Sequence, residues 1–238
     1  MKIKIIANPK KSWAVELAKK LAPILKGAGH RVVKRLADAT ICIGGDGTIL
    51  YANHRGRIEG TILGIGGDKS YVCQLRRHDI GKVLRALSGP VQKIMTLDCS
   101  IGQRRYIALN DIVVHATHYR VAEMDVRIAT TTGKQETEFE GDGMIVSTPL
   151  GSAAYAYSAG GEKLKPDERK LSVVPICPYK RAFRPEVLGE DSRISIKAGS
   201  DCAFIMDGIF VRRLKKGETL EARKGPDLPF FGGVGYEQ

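Results

Sequence analysis

Gly44-Gly45-Asp46-Gly47-Thr48 places one carboxylate among three glycines and a hydroxyl, directly after the apolar run Ile41-Cys42-Ile43. Glycines there let the backbone take positive φ and come close to a ligand. The N–H groups of such a loop, next to a helix N-terminus, suit phosphate. A carboxylate repels phosphate, so Asp46 implies something besides anion binding. It fits a group that holds Mg²⁺ or takes the proton of an attacking hydroxyl. The plainer alternative is a strand ending in a tight turn. That reading suits a lone Gly-x-Gly better than this five-residue run.

A second stretch runs Gly141-Asp142-Gly143-Met144-Ile145-Val146-Ser147-Thr148-Pro149-Leu150-Gly151-Ser152-Ala153-Ala154-Tyr155-Ala156-Tyr157-Ser158-Ala159-Gly160-Gly161. A Gly-Asp-Gly turn leads into a buried strand, and Ser147-Thr148-Pro149 breaks it. A run of small residues then predicts a helix from Ser152 that stops at Gly160-Gly161. Small side chains allow close approach to a flat ligand, and Tyr155 offers a ring to pack on it. A helix packed tightly on a sheet wants the same residues, so spacing alone leaves both readings open. Asn110-Asp111 is a further polar pair between apolar runs.

The elements that must position these residues fall into two kinds. Residues 3–7 read as a strand ended by Asn8-Pro9, and Ser12 opens a helix through about Lys26, interrupted by Pro23. Trp13, Leu17, Leu21 and Leu25 form its apolar face. Strands are predicted over 31–36, 40–43 and 61–65, with helices opening near Gly47 and over 79–87. Strands alternating with helices indicate a parallel α/β layer whose ligands sit at the carboxyl ends of the strands. After Gly89-Pro90 the helical period fades, and short strands follow at regular turn signals, as in an all-β domain. The expected division is 1–90 for the α/β domain with the glycine loop and 91–222 for the all-β domain. A tail over 223–238 can return to the first domain.

The chain has 238 residues, 43% of them hydrophobic, with a formal net charge of +12, which fits an anionic ligand. Its basic residues are scattered in short runs without interleaved aromatics, which argues against nucleic acid. The five cysteines stand far apart with no Cys-x-x-Cys pair, so reduced, mostly buried thiols are expected rather than a zinc site. The N-terminus is too briefly apolar for a signal peptide and no run approaches a membrane span, so a cytoplasmic protein without membrane partners is expected. His54, His115 and His118 have no evident carboxylate partner and read as surface or packing groups.

The first stretch resembles a signature shared by NAD kinases, diacylglycerol and sphingosine kinases and phosphofructokinases. The second resembles the long signature of NAD kinases, in which Asp-Gly leads through Ser-Thr-Pro-x-Gly-Ser-x-Ala-Tyr to Ser-Ala-Gly-Gly. Lipid kinases lack it. Asn110-Asp111 stands at that family's Asn-Glu pair. Pro175-Ile176-Cys177-Pro178 with Phe183-Arg184-Pro185, and the turn Asp207-Gly208, resemble further family blocks. The chain is thus identified as a divergent member of the NAD kinase family, of archaeal type. The resemblance implies a Rossmann-like α/β domain followed by a β-sandwich-like domain. It implies Mg²⁺-dependent transfer of a phosphoryl group from ATP, or from polyphosphate, to the 2′-hydroxyl of the adenosine ribose of NAD, making NADP. On it, Gly44, Gly45, Gly47 and Thr48 would cradle phosphates and Asp46 would act on the 2′-hydroxyl. Asn110 with Asp111 would contact the adenosine. Asp142, Ser152, Ala154, Tyr155 and Ser158 would line the NAD pocket, with Asp142 at or across a subunit boundary of a homodimer or homotetramer. No protein ligand to the metal is assigned.

Several residues depart from the family pattern. Asp111 is one methylene shorter than the usual Glu, and Ala153 lacks the hydroxyl of the usual Thr. The family's Gly-Ile-Asn-x-Gly-x-Leu-Gly-Phe-Leu reads here Gly64-Ile65-Gly66-Gly67-Asp68-Lys69-Ser70-Tyr71-Val72-Cys73, with a new carboxylate at Asp68. The tail after Lys224 is short and glycine-rich, with little room for a closing helix. Two other classes stay open at this point: a lipid or other alcohol kinase using the same loop, and a non-catalytic dinucleotide-binding sensor.

Overall fold

The computed structural model describes residues 1–117 and 120–234, and His118 lies outside them. The chain divides into two compact units, Met1–Ile94 with Asp227–Gln238, and Met95–Pro226. The crossings thus fall at 94/95 and 226/227, beside the expected 90/91 and 222/223. The second of those expected crossings would cut a strand that runs to Lys224.

In the first unit, strands β1 (Lys2–Ala7), β2 (Arg31–Val32), β3 (Ala39–Ile43), β4 (Thr61–Gly66), β5 (Leu75–Arg76) and β6 (Val91–Ile94) alternate with helices α1 (Ser12–Gly27), α2 (Asp46–His54) and α3 (Val83–Ala86). The second unit holds β7 (Leu97–Ile101), β8 (Arg104–Ala108), β9 (Asp111–Ala116), β10 (Ala122–Thr130), β11 (Gly133–Gly141) and β12 (Gly143–Ser147). After the single-turn α4 (Tyr155–Ser158) come β13 (Lys170–Ile176), β14 (Glu186–Gly189), β15 (Arg193–Ala198), β16 (Cys202–Met206), β17 (Ile209–Leu214) and β18 (Thr219–Lys224). The closing strand β19 (Leu228–Phe231) belongs to the first unit.

The first sheet runs β2-β1-β3-β4-β19-β6, with β5 beside β4. All its pairs are parallel except β19 with β6. The buried stripe of α1, Ala14, Leu17, Leu21 and Leu25, packs with Ile3, Ile41, Ile43 and Ile65 from the strands. From β1 the chain passes through α1 to β2 on one side. From β3 it passes through α2 to β4 on the other. The order therefore reverses between β1 and β3, and the crevice at their carboxyl ends is the place where such sheets take ligands.

The second unit is a sandwich of two antiparallel six-stranded sheets, β11-β10-β15-β18-β7-β8 and β14-β13-β12-β9-β16-β17. Alternation places Met124, Val126 and Ile128 of β10 in one core with Ile112 and Val114 of β9 and Met144 and Val146 of β12. The opposite face of β9, β12 and β13 carries Val113, Ile145 and Val174, which pack on Ala156 of α4.

Three predicted elements are shorter than expected. The strand over 31–36 stops at Val32, and the chain bends over 34–36, where Leu36 takes a left-handed φ of 57°. The helix over 79–87 is a 3₁₀ turn, Ile80–Lys82, followed by α3. The helix expected from Ser152 is a 3₁₀ turn, Gly151–Ala153, broken from α4 at Ala154 (φ −102°, ψ −119°). The tail closes as a strand, its Phe230 and Phe231 both buried.

Candidate active site

The glycine loop leaves β3 at the crevice between β1 and β3. Gly44 and Gly45 have φ of 144° and 104°, both closed to ordinary side chains. A Cβ on Gly44 would strike Thr48 Oγ1 and the Asn8 side chain. Gly45 is the N-cap of α2, and no side chain caps it. The Thr48 hydroxyl is buried with no hydrogen-bond partner. A cleft of about 410 Å³ opens over residues 44–48, closed by Asn8 and Lys11 on one side and residues 67–70 on the other. Free N–H groups at a helix start, glycines and an orphan hydroxyl form a setting for phosphate oxygens.

The Asp46 carboxylate is held by backbone groups. Its Oδ2 accepts the Tyr71 N–H at 2.7 Å, and its Oδ1 accepts those of Val72 at 2.9 Å and Cys73 at 3.2 Å. Three successive amides of the divergent 66–73 segment thus grip it. A carboxylate offers about four acceptor positions. One position remains, and Cys73 stands near enough that its thiol pKa is pushed up by burial and then by the Asp46 charge. Asp68 lines the same cleft and is exposed.

In the second unit, Asp207 organises the Asn110 turn. Its carboxylate accepts the backbone N–H groups of Leu109 at 3.0 Å, Asn110 at 2.6 Å and Asp111 at 3.3 Å. Thr148 holds the same turn from the other side. Its hydroxyl donates to the carbonyls of Leu109 at 2.8 Å and Asn110 at 3.1 Å and accepts the Gly151 N–H at 3.1 Å. Gly151 lies so close that a Cβ there would collide with the Asn110 carbonyl. The Asn110 Oδ1 is buried and unpartnered. Asp111 is 5% exposed, and burial, then the Asp207 charge, push its carboxyl up to about 7.

The remaining predicted residues divide into two groups. Tyr155 is 41% exposed. Burial, then the neighbourhood of Cys177, Asp142 and Asp111, raises its pKa. Ala154 and Ser158 are exposed in the same turn, and the Ser158 hydroxyl donates to the Ala154 carbonyl at 3.3 Å. Ser152 is different: it is fully buried, donates to the Pro149 carbonyl at 2.7 Å and accepts the Leu164 N–H at 2.8 Å. Its hydroxyl ties two turns together. The structure therefore gathers Asn110, Asp111, Asp142 and Tyr155 in the second unit, and Gly44 to Thr48 in the first. Sequence reasoning missed the amide grip on Asp46, the Asp207 clamp and the place of Lys11. Asp207 left one signal, an Asp-Gly turn with φ of 51° at the Asp.

The family model for the ATP-NAD kinase C-terminal domain matches residues 109–229. An NAD kinase from Chlorobium limicola is 30% identical over 260 residues, spanning 96% of this chain and 89% of its own length. Among solved structures, yeast NADH kinase complexed with NADH superposes with a TM-score of 0.87 at 19% identity, covering 98% of this chain and 84% of that one. An NAD kinase from Archaeoglobus fulgidus in complex with ATP superposes with a TM-score of 0.80 at 23% identity, covering 98% and 94%. At these identities the two structures speak for the fold, while the relative and the family model speak for descent.

Proposed function

The chain belongs to the NAD kinase family, and from that premise we propose that it transfers the γ-phosphoryl group of ATP to the 2′-hydroxyl of the adenosine ribose of NAD, making NADP. One observation carries the chemistry: Asp46 stands at a phosphate-suited cleft, fixed by three backbone amides, with one of its acceptor positions left over.

In this reading the first unit supplies the phosphate cleft and the base. Gly44, Gly45, Gly47 and Thr48 hold phosphate oxygens. The second unit supplies the dinucleotide contacts, with Asn110 Oδ1 available to the base, Asp111 and Asp142 beside it, and Tyr155, Ala154 and Ser158 along the ring. Ser152 acts by shaping that turn. The 2′-oxygen bonds to the γ-phosphorus as the bond from that phosphorus to the β,γ-bridging oxygen breaks, and ADP leaves. The hydroxyl proton passes to Asp46. The amide grip fixes that carboxylate before substrate arrives, so positioning and charge stabilisation dominate, as in phosphoryl transfer generally.

Among the described residues no group of three or more His, Cys, Asp or Glu side chains could hold a metal ion. The cleft offers the exposed carboxylate of Asp68, since Asp46 is committed to three amides and the hydroxyl proton. One or two carboxylates fit Mg²⁺ that arrives on the triphosphate and keeps several waters. When bound there, the ion neutralises phosphate charge. Inorganic polyphosphate presents the same chain of phosphates and is the second donor. The working form is a cytoplasmic homodimer or homotetramer, which sedimentation of the purified protein tests.

The match over residues 109–229 includes the second signature, which the lipid kinases lack, and so disfavours the lipid-kinase alternative. The deciding experiment supplies purified protein with ATP, Mg²⁺ and NAD and follows NADP with an NADP-specific dehydrogenase. Turnover is expected. NAD binding without turnover would leave the sensor reading in its place.

A further inference from the structure

We propose that Lys11 is a catalytic residue of this site, an ammonium that binds the donor's terminal phosphates. The inference rests on the phosphoryl-transfer reading above and adds a group that no motif supplied. Lys11 is the N-cap of α1, on the loop that leaves β1 at the same crevice from which the glycine loop leaves β3. The Asn8 N–H donates to the Ile43 carbonyl at 2.8 Å, and the Lys11 N–H to the Asn8 carbonyl at 3.1 Å, so this loop is fastened to the end of β3.

The side chain is aimed rather than free. Its Nζ donates to the Gly44 carbonyl at 2.5 Å and lies 5.9 Å from the centroid of the Trp13 ring. An ammonium has three donors, so two remain for a ligand in the cleft. Two helices, α1 and α2, begin at this cleft, and neither start is capped by a side chain. Their dipoles favour negative charge there. Asp46 and Asp68 line the same cleft, and without Lys11 they would face incoming phosphates with only Lys69 to offset them. Tethered to Gly44, the Lys11 charge sits where phosphate oxygens must pass to reach the glycine loop. It therefore stabilises the charge on the transferring and leaving phosphates.

The test compares Lys11→Met, which keeps the length of the side chain, with Lys11→Arg, which keeps its charge. In steady-state assays Lys11→Met should lower kcat/KM for ATP by about 10²–10³-fold, the scale for loss of one transition-state donor. The KM for NAD should stay within about threefold, and Lys11→Arg should recover at least about tenfold of the loss. A KM for NAD raised by more than about tenfold, or an unchanged kcat/KM for ATP, would overturn the assignment. Calorimetry with inorganic tripolyphosphate separates this inference from the kinase reading. Wild type should bind it, and Lys11→Met should bind about tenfold more weakly or worse. If wild type binds tripolyphosphate through Lys11 yet never phosphorylates NAD, the kinase reading falls and the Lys11 assignment stands. If NAD is phosphorylated but tripolyphosphate binds both proteins equally, or does not bind wild type, Lys11 is not the phosphate ligand.

Discussion

The Asp46 carboxylate accepts the Tyr71 amide at 2.7 Å, so the acid of the most regular motif in the chain is held by its most divergent segment. The grip uses backbone N–H groups, which every residue type except proline provides. That is why the segment could lose the Asn and the Phe of the family pattern and still do this work. Side chains at 66–73 are free to vary as long as the loop keeps its path. Gly66 marks one constraint on that path, since a Cβ there would overlap Ser70.

The first prediction concerns Asp46→Asn. An amide cannot take the hydroxyl proton, so kcat should fall by about 10²–10⁴-fold, while KM for NAD moves by less than roughly tenfold. The substitution also has a structural cost. Whichever way the amide turns, its NH₂ faces at least one of the amides of Tyr71, Val72 or Cys73, and one hydrogen bond to a charged group is lost. Stability should drop by about 1–3 kcal/mol, read by urea unfolding, with the fold retained. Near-normal turnover would show that Asp46 is an anchor only.

A second prediction addresses the departure at Ala153, half-buried in the 3₁₀ turn. The family's hydroxyl at this place is missing. Ala153→Thr should lower the KM for NAD by a few-fold, on the scale of one neutral hydrogen bond of about 0.5–1.5 kcal/mol. A large loss of activity would mean that the turn has a different shape from that of its relatives.

The sequence reading reached the α/β layer through helical spacing at Trp13, Leu17, Leu21 and Leu25, where Ala14 takes the buried place and Trp13 is only partly covered, and the all-β domain through short strands such as the alternation at Met124, Val126 and Ile128. Both are local, repetitive signals of burial on one face. The missing information was not local. Asp207 meets Asn110 across 97 positions of sequence, and Asp46 meets Cys73 across 27. Neither contact leaves a periodic trace. The small-residue run at 151–161 was ambiguous because close approach to a flat ligand and a helix packed tightly on a sheet want the same residues. Its glycines serve close packing, Gly151 against the Asn110 carbonyl and Gly161 against Val174, and only a single helical turn formed.

That close packing yields a third prediction. Gly151→Ala should push the Asn110 carbonyl from its place against Thr148. Overpacking of this kind costs about 1–3 kcal/mol, visible as a lowered urea midpoint. Because Asn110 is displaced, KM for NAD should rise while KM for ATP holds, and equal effects on both substrates would count against Asn110 as a dinucleotide contact.

The last prediction uses Asp111 and Asp207 as a coupled pair. Asp111 has its carboxyl raised from an ordinary 3.8 to about 7, by burial first and by the Asp207 charge second. In the unfolded chain it ionises near the ordinary value. Between about pH 4 and about pH 7, then, the folded protein binds a proton that the unfolded chain has released. Stability falls as pH rises through that window, with a slope of at most about 1.4 kcal/mol per pH unit from this group. Below the window the contribution is fully present, and above it the carboxylate is charged and buried. Asp111→Asn removes the titration and should flatten the urea-unfolding profile between about pH 4 and about pH 7, leaving the variant more stable than wild type at the alkaline end. Asp207→Asn acts in two ways. It weakens the acceptor of three backbone amides, which costs stability at every pH by about 1–3 kcal/mol or more. It also removes the repelling charge, so the Asp111 step should move to lower pH yet stay above the ordinary value, because burial remains. The double variant should keep the stability loss and lose the pH step, making the two effects non-additive only within the window. A pH step that persists unchanged in Asp111→Asn would assign the titration to another group and remove Asp111 as its source.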